Sequence, residues 1–266
     1  MQVLHPQGSL NGVPPEDTFI AVDDIGTQLG MGYIFYQFQP HRCPDCPINM
    51  YFSLESQPAA RYILLGALVA RARLIRDNNT GVGARLYTNI TPGDTRARNF
   101  YLQSGFSCDD AELEMEMPIP AGEARIPMSC AIVPTPLNTA EECAGFLARL
   151  QQNDITYLDM PYLTSLLRQP HVQAQGLLIN NQLSGEVLLA GTGSSCELAA
   201  IYIIPANRRQ GLAKVLLHQA MMLMGLEGVT RVNACVMSDC EPQMRLVNAF
   251  QARNIGTRTV FPSIRL

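Results

Sequence analysis

The 266-residue chain has no basic excess: Lys and Arg number 19 against 23 Asp and Glu, for a formal net charge of −4. A dedicated nucleic-acid binder carries the opposite balance, so no nucleic-acid partner is expected. No run of about 18 apolar residues occurs, so no membrane-spanning helix is expected. The opening Met1-Gln2-Val3-Leu4-His5-Pro6 has neither the basic nor the apolar region of a secretory leader, which reads as cytoplasmic. Charged residues are few, 16 % against 47 % hydrophobic, and that excludes a charge-rich disordered chain. Cysteine is present but not dense: positions 43, 46, 108, 130, 143, 196, 235 and 240 do not form a small disulfide scaffold, and free thiols are expected.

What is present is long enough for one large domain or two modest ones. Pro118, Pro120, Gly122 and Pro127 bracket a short stretch between apolar segments and read as a linker. A boundary at Gly122 gives units 1–122 and 123–266. In the second, 128–133 reads as a strand. Thr139 and Glu142 form a capping box ahead of Cys143, Phe146, Leu147 and Leu150 at helical spacing. A short helix follows over 161–167, strands over 175–179 and 184–190 flank an Asn180-Asn181 turn, and 197–204 is an apolar strand. A helix carrying Leu212, Val215, Leu216, Met222 and Leu223, a strand over 229–236, a helix over 241–253 and a last strand over 256–264 complete the unit. The first unit has a similar alternation: strands over 17–22, 31–38 and 49–54, a helix over 59–76, a strand over 84–90, a helix over 94–104 and a strand over 112–117. It lacks an evident opening strand and its two helices. The fold class is therefore α/β with a mixed sheet.

The stretch Ile203-Ile204-Pro205-Ala206-Asn207-Arg208-Arg209-Gln210-Gly211-Leu212-Ala213-Lys214 lies where an apolar strand gives way to a helix. A helix N-terminus presents unpaired backbone N–H groups, and with the helix dipole these make an anion site. Gly211 admits a phosphate close to the backbone, Ala213 keeps the next turn thin, and Arg208, Arg209 and Lys214 add positive charge. The spacing predicts a pyrophosphate cradle.

Pro-x-x-Arg-x-x-Gly-x-Ala after an apolar strand resembles the pyrophosphate motif of the GNAT acetyltransferase superfamily. The element order over 128–266 is similar to that fold as well. The resemblance implies that the backbone of Arg209, Gln210, Gly211, Leu212 and Ala213, flanked by Arg208 and Lys214, holds the diphosphate of acetyl-CoA as co-substrate. It also implies that the strand ending at Ile203 and Ile204 pairs with the pantetheine arm. Glu197, on the same strand eight residues before Pro205, is the candidate base that takes a proton from the attacking amine. GNAT enzymes commonly carry a Tyr four residues before Gly-Phe on the next helix, to protonate the departing thiolate. Here that position is Phe250, followed by Asn254-Ile255, and Ser238, Cys240 and Cys235 are the nearby substitutes.

The missing pattern occurs earlier, in Arg98-Asn99-Phe100-Tyr101-Leu102-Gln103-Ser104-Gly105-Phe106. Pro58 and Arg61 lie on Pro205 and Arg208 at an offset of 147, and Tyr101 on Phe250 at 149. Two nearly equal offsets imply a duplication. The chain then resembles two tandem GNAT-like units, of which the first is degenerate, with Leu64 at the position of Gly211.

His41, Cys43 and Cys46 form a Cys-x-x-Cys with a nearby His. Too few ligands are in sight for a structural metal, so a Pro-rich loop and no metal site are expected. Met221, Met222 and Met224 read as core. The function expected is an acetyl-CoA-dependent N-acetyltransferase acting on an amine of a small molecule or peptide. The alternative is a non-catalytic coenzyme A-binding or interaction module. A homodimer is compatible with the chain.

Overall fold

In a computed structural model, which describes residues 1–10, 12–40 and 45–266, the chain divides into two units. They are Met1–Ala111 with Thr259–Leu266, and Glu112–Arg258. The sequence places the junction at Gly122; the two units instead divide the chain at Ala111/Glu112 and again at Arg258/Thr259. The Pro/Gly stretch at 118–127 therefore lies inside the second unit. His41, Cys43 and the proline beside it lie outside the described residues, and with them the first part of the expected loop. The described cysteines Cys46, Cys108, Cys130, Cys143, Cys196, Cys235 and Cys240 are free thiols. No described helix is long and apolar enough to cross a membrane.

The first unit opens with β1 (Gln2–Leu4), which pairs antiparallel with β2 (Thr18–Val22). An opening strand is thus present, although only three residues long, and between the two strands lies a 3-10 turn at Pro15–Asp17 where the second unit has two α-helices. A strand this short gives no usable alternation of apolar residues, which is why the sequence hides it. β3 (Gln28–Phe38) and β4 (Ile48–Ser56) continue the antiparallel meander. α1 (Arg61–Asp77) follows, burying Leu64, Leu65, Leu68, Ala72 and Ile75 at spacings of three and four. β5 (Ala84–Tyr87) pairs parallel with β4 over Ile48–Tyr51. α2 (Thr95–Gln103) is capped by Asp94, whose carboxylate accepts from Ala97 N–H at 2.9 Å.

β6 (Ser107–Pro118) leaves the first unit and enters the second. There follow β7 (Cys130–Pro134), α3 (Ala140–Gln152), α4 (Met160–Leu167), β8 (His171–Ile179), β9 (Gln182–Thr192), β10 (Ser195–Ile203), α5 (Leu212–Leu226), β11 (Arg231–Met237), α6 (Glu241–Asn248) and β12 (Arg253–Arg265). The capping box at Thr139 and Glu142 forms with both of its hydrogen bonds. Asn180 and Asn181 both take positive φ, as a two-residue hairpin turn requires. α6 stops at Asn248 instead of continuing to Arg253, because Gln251 takes φ +57° and turns the chain into β12.

The ends of β6 and β12 explain the two crossings. The second half of β6 pairs with β11 in the second unit, while Ser263–Arg265 of β12 pair with β5 in the first. A strand's alternation records which face is buried, not which neighbour it takes.

The second unit's core has two layers. On one face of its sheet, Val232, Ala234, Val236 and Cys196 pack with Leu216, Leu217, Ala220, Met221 and Met224 of α5. On the other, Leu188, Ala190, Ala199 and Tyr202 pack with Phe146 and Leu150 of α3 and Leu163 and Leu166 of α4. Glu186, 1 % exposed, is held there by Arg149 through two 2.8 Å hydrogen bonds and by the Tyr202 hydroxyl at 2.6 Å.

Candidate active site

β10 and β11 run parallel for only three rungs, Ser195–Glu197 opposite Arg231–Asn233. Beyond Glu197 the ladder stops while β10 continues to Ile203, paired only with β9. The β9 register shifts between Leu198 and Ala200, so Ala199 is an extra residue. Its carbonyl accepts from the Tyr157 hydroxyl at 3.0 Å. A bulge bends a strand and increases its twist, which suits it to part β10 from its parallel neighbour. The side of β10 facing β11 thus carries backbone groups outside any ladder.

Ile203 and Ile204 end this strand, and a 3-10 turn at Pro205–Asn207 follows. The turn is tied down twice: the Asn207 amide donates to Ser184 Oγ at 3.0 Å and Arg208 Nε to the Ile203 carbonyl at 2.8 Å. Arg208 is half-buried, and desolvation lowers its pKa, with Asp154 acting in the opposite sense. The Arg208 side chain thus braces the turn from within, a role that the expected added charge did not include. Arg209, Gln210 and Gly211 follow, with Arg209 at φ +63° and Gly211 at φ +74° as N-cap of α5. The first helical hydrogen bonds run from Lys214 and Val215 N–H to the Gly211 carbonyl. The N–H groups of Arg209 through Ala213 all precede them, which is the orphan-donor set of a helix start. A Cβ on Gly211 would meet nothing within 4 Å. Glycine is needed here for its backbone conformation first, and the open space beside it is available to a ligand.

Glu197 stands on the last rung of the parallel pair, half-buried, with Asn233 as its cross-strand partner. The Tyr162 hydroxyl of α4 donates to Glu197 Oε1 at 3.1 Å. Burial pushes the Tyr162 phenol up, and the Glu197 carboxylate adds to the shift. Cys235, two residues beyond Asn233 on the same face of β11, is exposed, and Arg258 Nη1 donates to its Sγ at 3.3 Å. Desolvation raises the Cys235 thiol pKa, opposed by Arg258. The sequence singled out Glu197 but not Tyr162 or Arg258, which come from α4 and β12. No local pattern records that contact.

The other expected groups are elsewhere. Phe250 is 5 % exposed, with its ring 6.2 Å from that of His218. It is not, as the sequence offset implies, the counterpart of Tyr101: the turn that ends α6, with Ala252 N–H bonded to the Val247 carbonyl and Gln251 at positive φ, repeats the turn of Phe106, Tyr101 and Gly105 that ends α2, so Val247 takes that place and has no hydroxyl. Cys240 is the N-cap of α6, with no capping hydrogen bond from its side chain.

In the first unit the 3-10 turn Pro58–Ala60 runs straight into α1 at Arg61. The four residues that separate turn and helix in the second unit, Arg208–Gly211, have no counterpart. Leu64, expected at the phosphate turn, is instead fully buried in the first helical turn. Tyr101 is 7 % exposed and packs on Phe52 and Phe106; burial raises its pKa to about 12, with a Thr88 hydrogen bond opposing. A cleft of about 480 Å3 lies between α1 and α2, where Arg61 sits 5.2 Å over the Phe100 ring.

No protein-family model matches the chain, and no curated protein matches it in sequence. Solved structures do match. A GCN5-related N-acetyltransferase from Sphaerobacter thermophilus aligns with TM-score 0.52 at 14 % identity, over 94 % of this chain and 81 % of that one. A GCN5-related N-acetyltransferase from Anabaena variabilis aligns with TM-score 0.51 at 12 % identity, over 95 % of this chain and 63 % of that one. A tandem GNAT protein from the clavulanic acid biosynthesis pathway aligns with TM-score 0.47 at 14 % identity, over 93 % and 82 %. The chain has the GNAT fold, as its sequence motifs imply.

Proposed function

We propose that the second unit is an acyl-CoA-dependent N-acyltransferase that transfers an acetyl group to an amine of a small molecule or peptide. One observation carries the reading: a strand that parts from its parallel neighbour at a carboxylate runs into a glycine-capped helix start whose N–H groups precede the first helical bonds. The site residues fit coenzyme A. The amides of Arg209, Gln210, Gly211, Leu212 and Ala213 receive its diphosphate, with Arg209 and Lys214 exposed beside them. The unladdered side of β10, ending at Ile203 and Ile204, hydrogen-bonds the amides of the pantetheine arm. When bound, acetyl-CoA would supply the acyl group as an activated thioester, with the coenzyme A thiol as the leaving group.

The protein's own part is positional and acid–base. Glu197, at the point where the strands part, accepts the proton that an ammonium must lose before its nitrogen attacks. Tyr162 holds that carboxylate in place through its hydroxyl. No proton donor occupies the usual thiolate-protonating position, since Val247 is there. A thiol with a pKa of about 8.5 leaves without strong assistance. The missing proton donor also favours the second reading, a coenzyme A binder without turnover.

The experiment is an acetyl-CoA turnover screen against an amine panel, read as free thiol, beside calorimetry with coenzyme A. Release of thiol that depends on an amine supports transfer. Tight binding with no transfer to any amine establishes the binder, and no binding removes both readings.

A further inference from the structure

The face of the second unit's sheet that carries Glu197 continues outward as a polar floor. Asn233 and Cys235 of β11 share it with Glu112, Glu114 and Glu116 of β6, which sit at alternate positions opposite Met237, Cys235 and Asn233. Arg258 of β12 reaches over this floor. Its guanidinium contacts Cys235 Sγ at 3.3 Å, and its Nε is 3.9 Å from Glu112 Oε2, beyond hydrogen-bond range. The side chain is 58 % exposed. Both Arg258 and Glu197 act electrostatically on the Tyr162 phenol and on the Cys235 thiol, so a cation and a carboxylate flank the same two side chains. Glu116 is different: Arg253 holds it at 2.6 Å, with Arg231 at 3.8 Å, so those charges neutralise one another.

We propose that the acceptor is an amine that also bears a carboxylate, of the α-amino-acid or free-peptide class, with its nitrogen at Glu197 and its carboxylate on Arg258. This rests on the acyltransferase reading of the same site. A planar guanidinium offers paired N–H groups that match a carboxylate, and with Cys235 on one N–H and Glu112 as a looser ion pair at 3.9 Å, the 58 % exposed fork keeps N–H groups for an incoming one. An acceptor that is only cationic gains nothing from Arg258 and is repelled by it. The arrangement therefore selects against plain amines as well as for amino acids.

The test pairs each L-amino acid with the amine lacking its carboxylate: phenylalanine with phenethylamine, leucine with isoamylamine, lysine with cadaverine. Each is assayed with acetyl-CoA on the full chain, by free thiol. A charge-assisted contact predicts that kcat/KM favours the carboxylate-bearing member by about 10- to 100-fold. In Arg258→Ala that ratio falls toward one, through KM more than kcat, and Arg258→Lys retains part of it. The thermal midpoint of each variant checks folding. If Arg258→Ala does not fold, the wild-type ratio decides alone. Equal or faster transfer to the plain amines overturns the inference while leaving the acyltransferase reading intact, and so does a ratio unchanged in folded Arg258→Ala. Absence of transfer to every acceptor, with coenzyme A bound, overturns the acyltransferase reading and this inference with it.

Discussion

The two units make the same strand-to-helix passage in two ways. In both, a parallel pair parts and a 3-10 turn beginning with proline follows. The second unit then inserts Arg208–Gly211, with two residues at positive φ, before its helix; the first enters the helix at once. The last rung differs too. It carries Glu197 in the second unit and Tyr51 in the first, where the hydroxyl donates to Asn89 at 2.8 Å. One junction exposes donors and a carboxylate, and the other closes them into helix and aromatic packing. Four residues and one side chain are enough to separate a candidate site from a scaffold.

Substitutions in the two units test the contrast. Glu197→Gln removes the proposed base and keeps the shape, so kcat falls by about 10²–10⁴-fold. Coenzyme A affinity by calorimetry changes little, and an equal loss in both would assign Glu197 to binding instead. Arg149→Ala leaves Glu186 buried with the Tyr202 hydroxyl as its main remaining partner. Denaturant unfolding should show a loss of about 3–5 kcal/mol, and a loss under 1 kcal/mol would show that water replaces the arginine. Glycine gives the sharpest pair. Gly211→Ala forces a side chain into the left-handed region and should cost about 1–2 kcal/mol, whereas Gly66→Ala, inside α1 with nothing within 4 Å of its Cβ, should gain up to about 1 kcal/mol. Equal signs in thermal melts would contradict the assigned backbone geometry.

The smallest effect concerns Tyr101. Its pKa is raised above the unfolded value of about 10, so the folded state keeps a proton that the unfolded state loses. Its burial contributes fully below pH 10, and stability falls as pH rises from 10 toward about 12. Tyr101→Phe should flatten that alkaline loss in pH-dependent melts. An unchanged slope would mean that the ring is solvated.

Much of this was legible locally. The Thr139–Glu142 box, the Asn180-Asn181 turn and the Gly211 cap depend on neighbours within four residues, and each reads directly from its spacing. The repeat was legible in Pro58 and in the helix end at Tyr101, but nearly equal offsets hid the missing four residues, so they set Arg61 and Leu64 on Arg208 and Gly211, which the first unit lacks, and Tyr101 on Phe250 instead of Val247. The exchange of β6 and β12 between units was not legible, because a strand's alternation is the same beside any neighbour. Nor was the meeting of Tyr162, Glu197, Cys235 and Arg258, which four separate elements bring together.

The central claim is that coenzyme A binds at α5 and not at α1. Calorimetric titration of the full chain, wild type beside Gly211→Leu and Gly66→Leu in the first two turns of α1, tests it most directly. One coenzyme A per chain is expected, lost in Gly211→Leu and kept in Gly66→Leu. Binding that survives Gly211→Leu, or a stoichiometry of two, would contradict it.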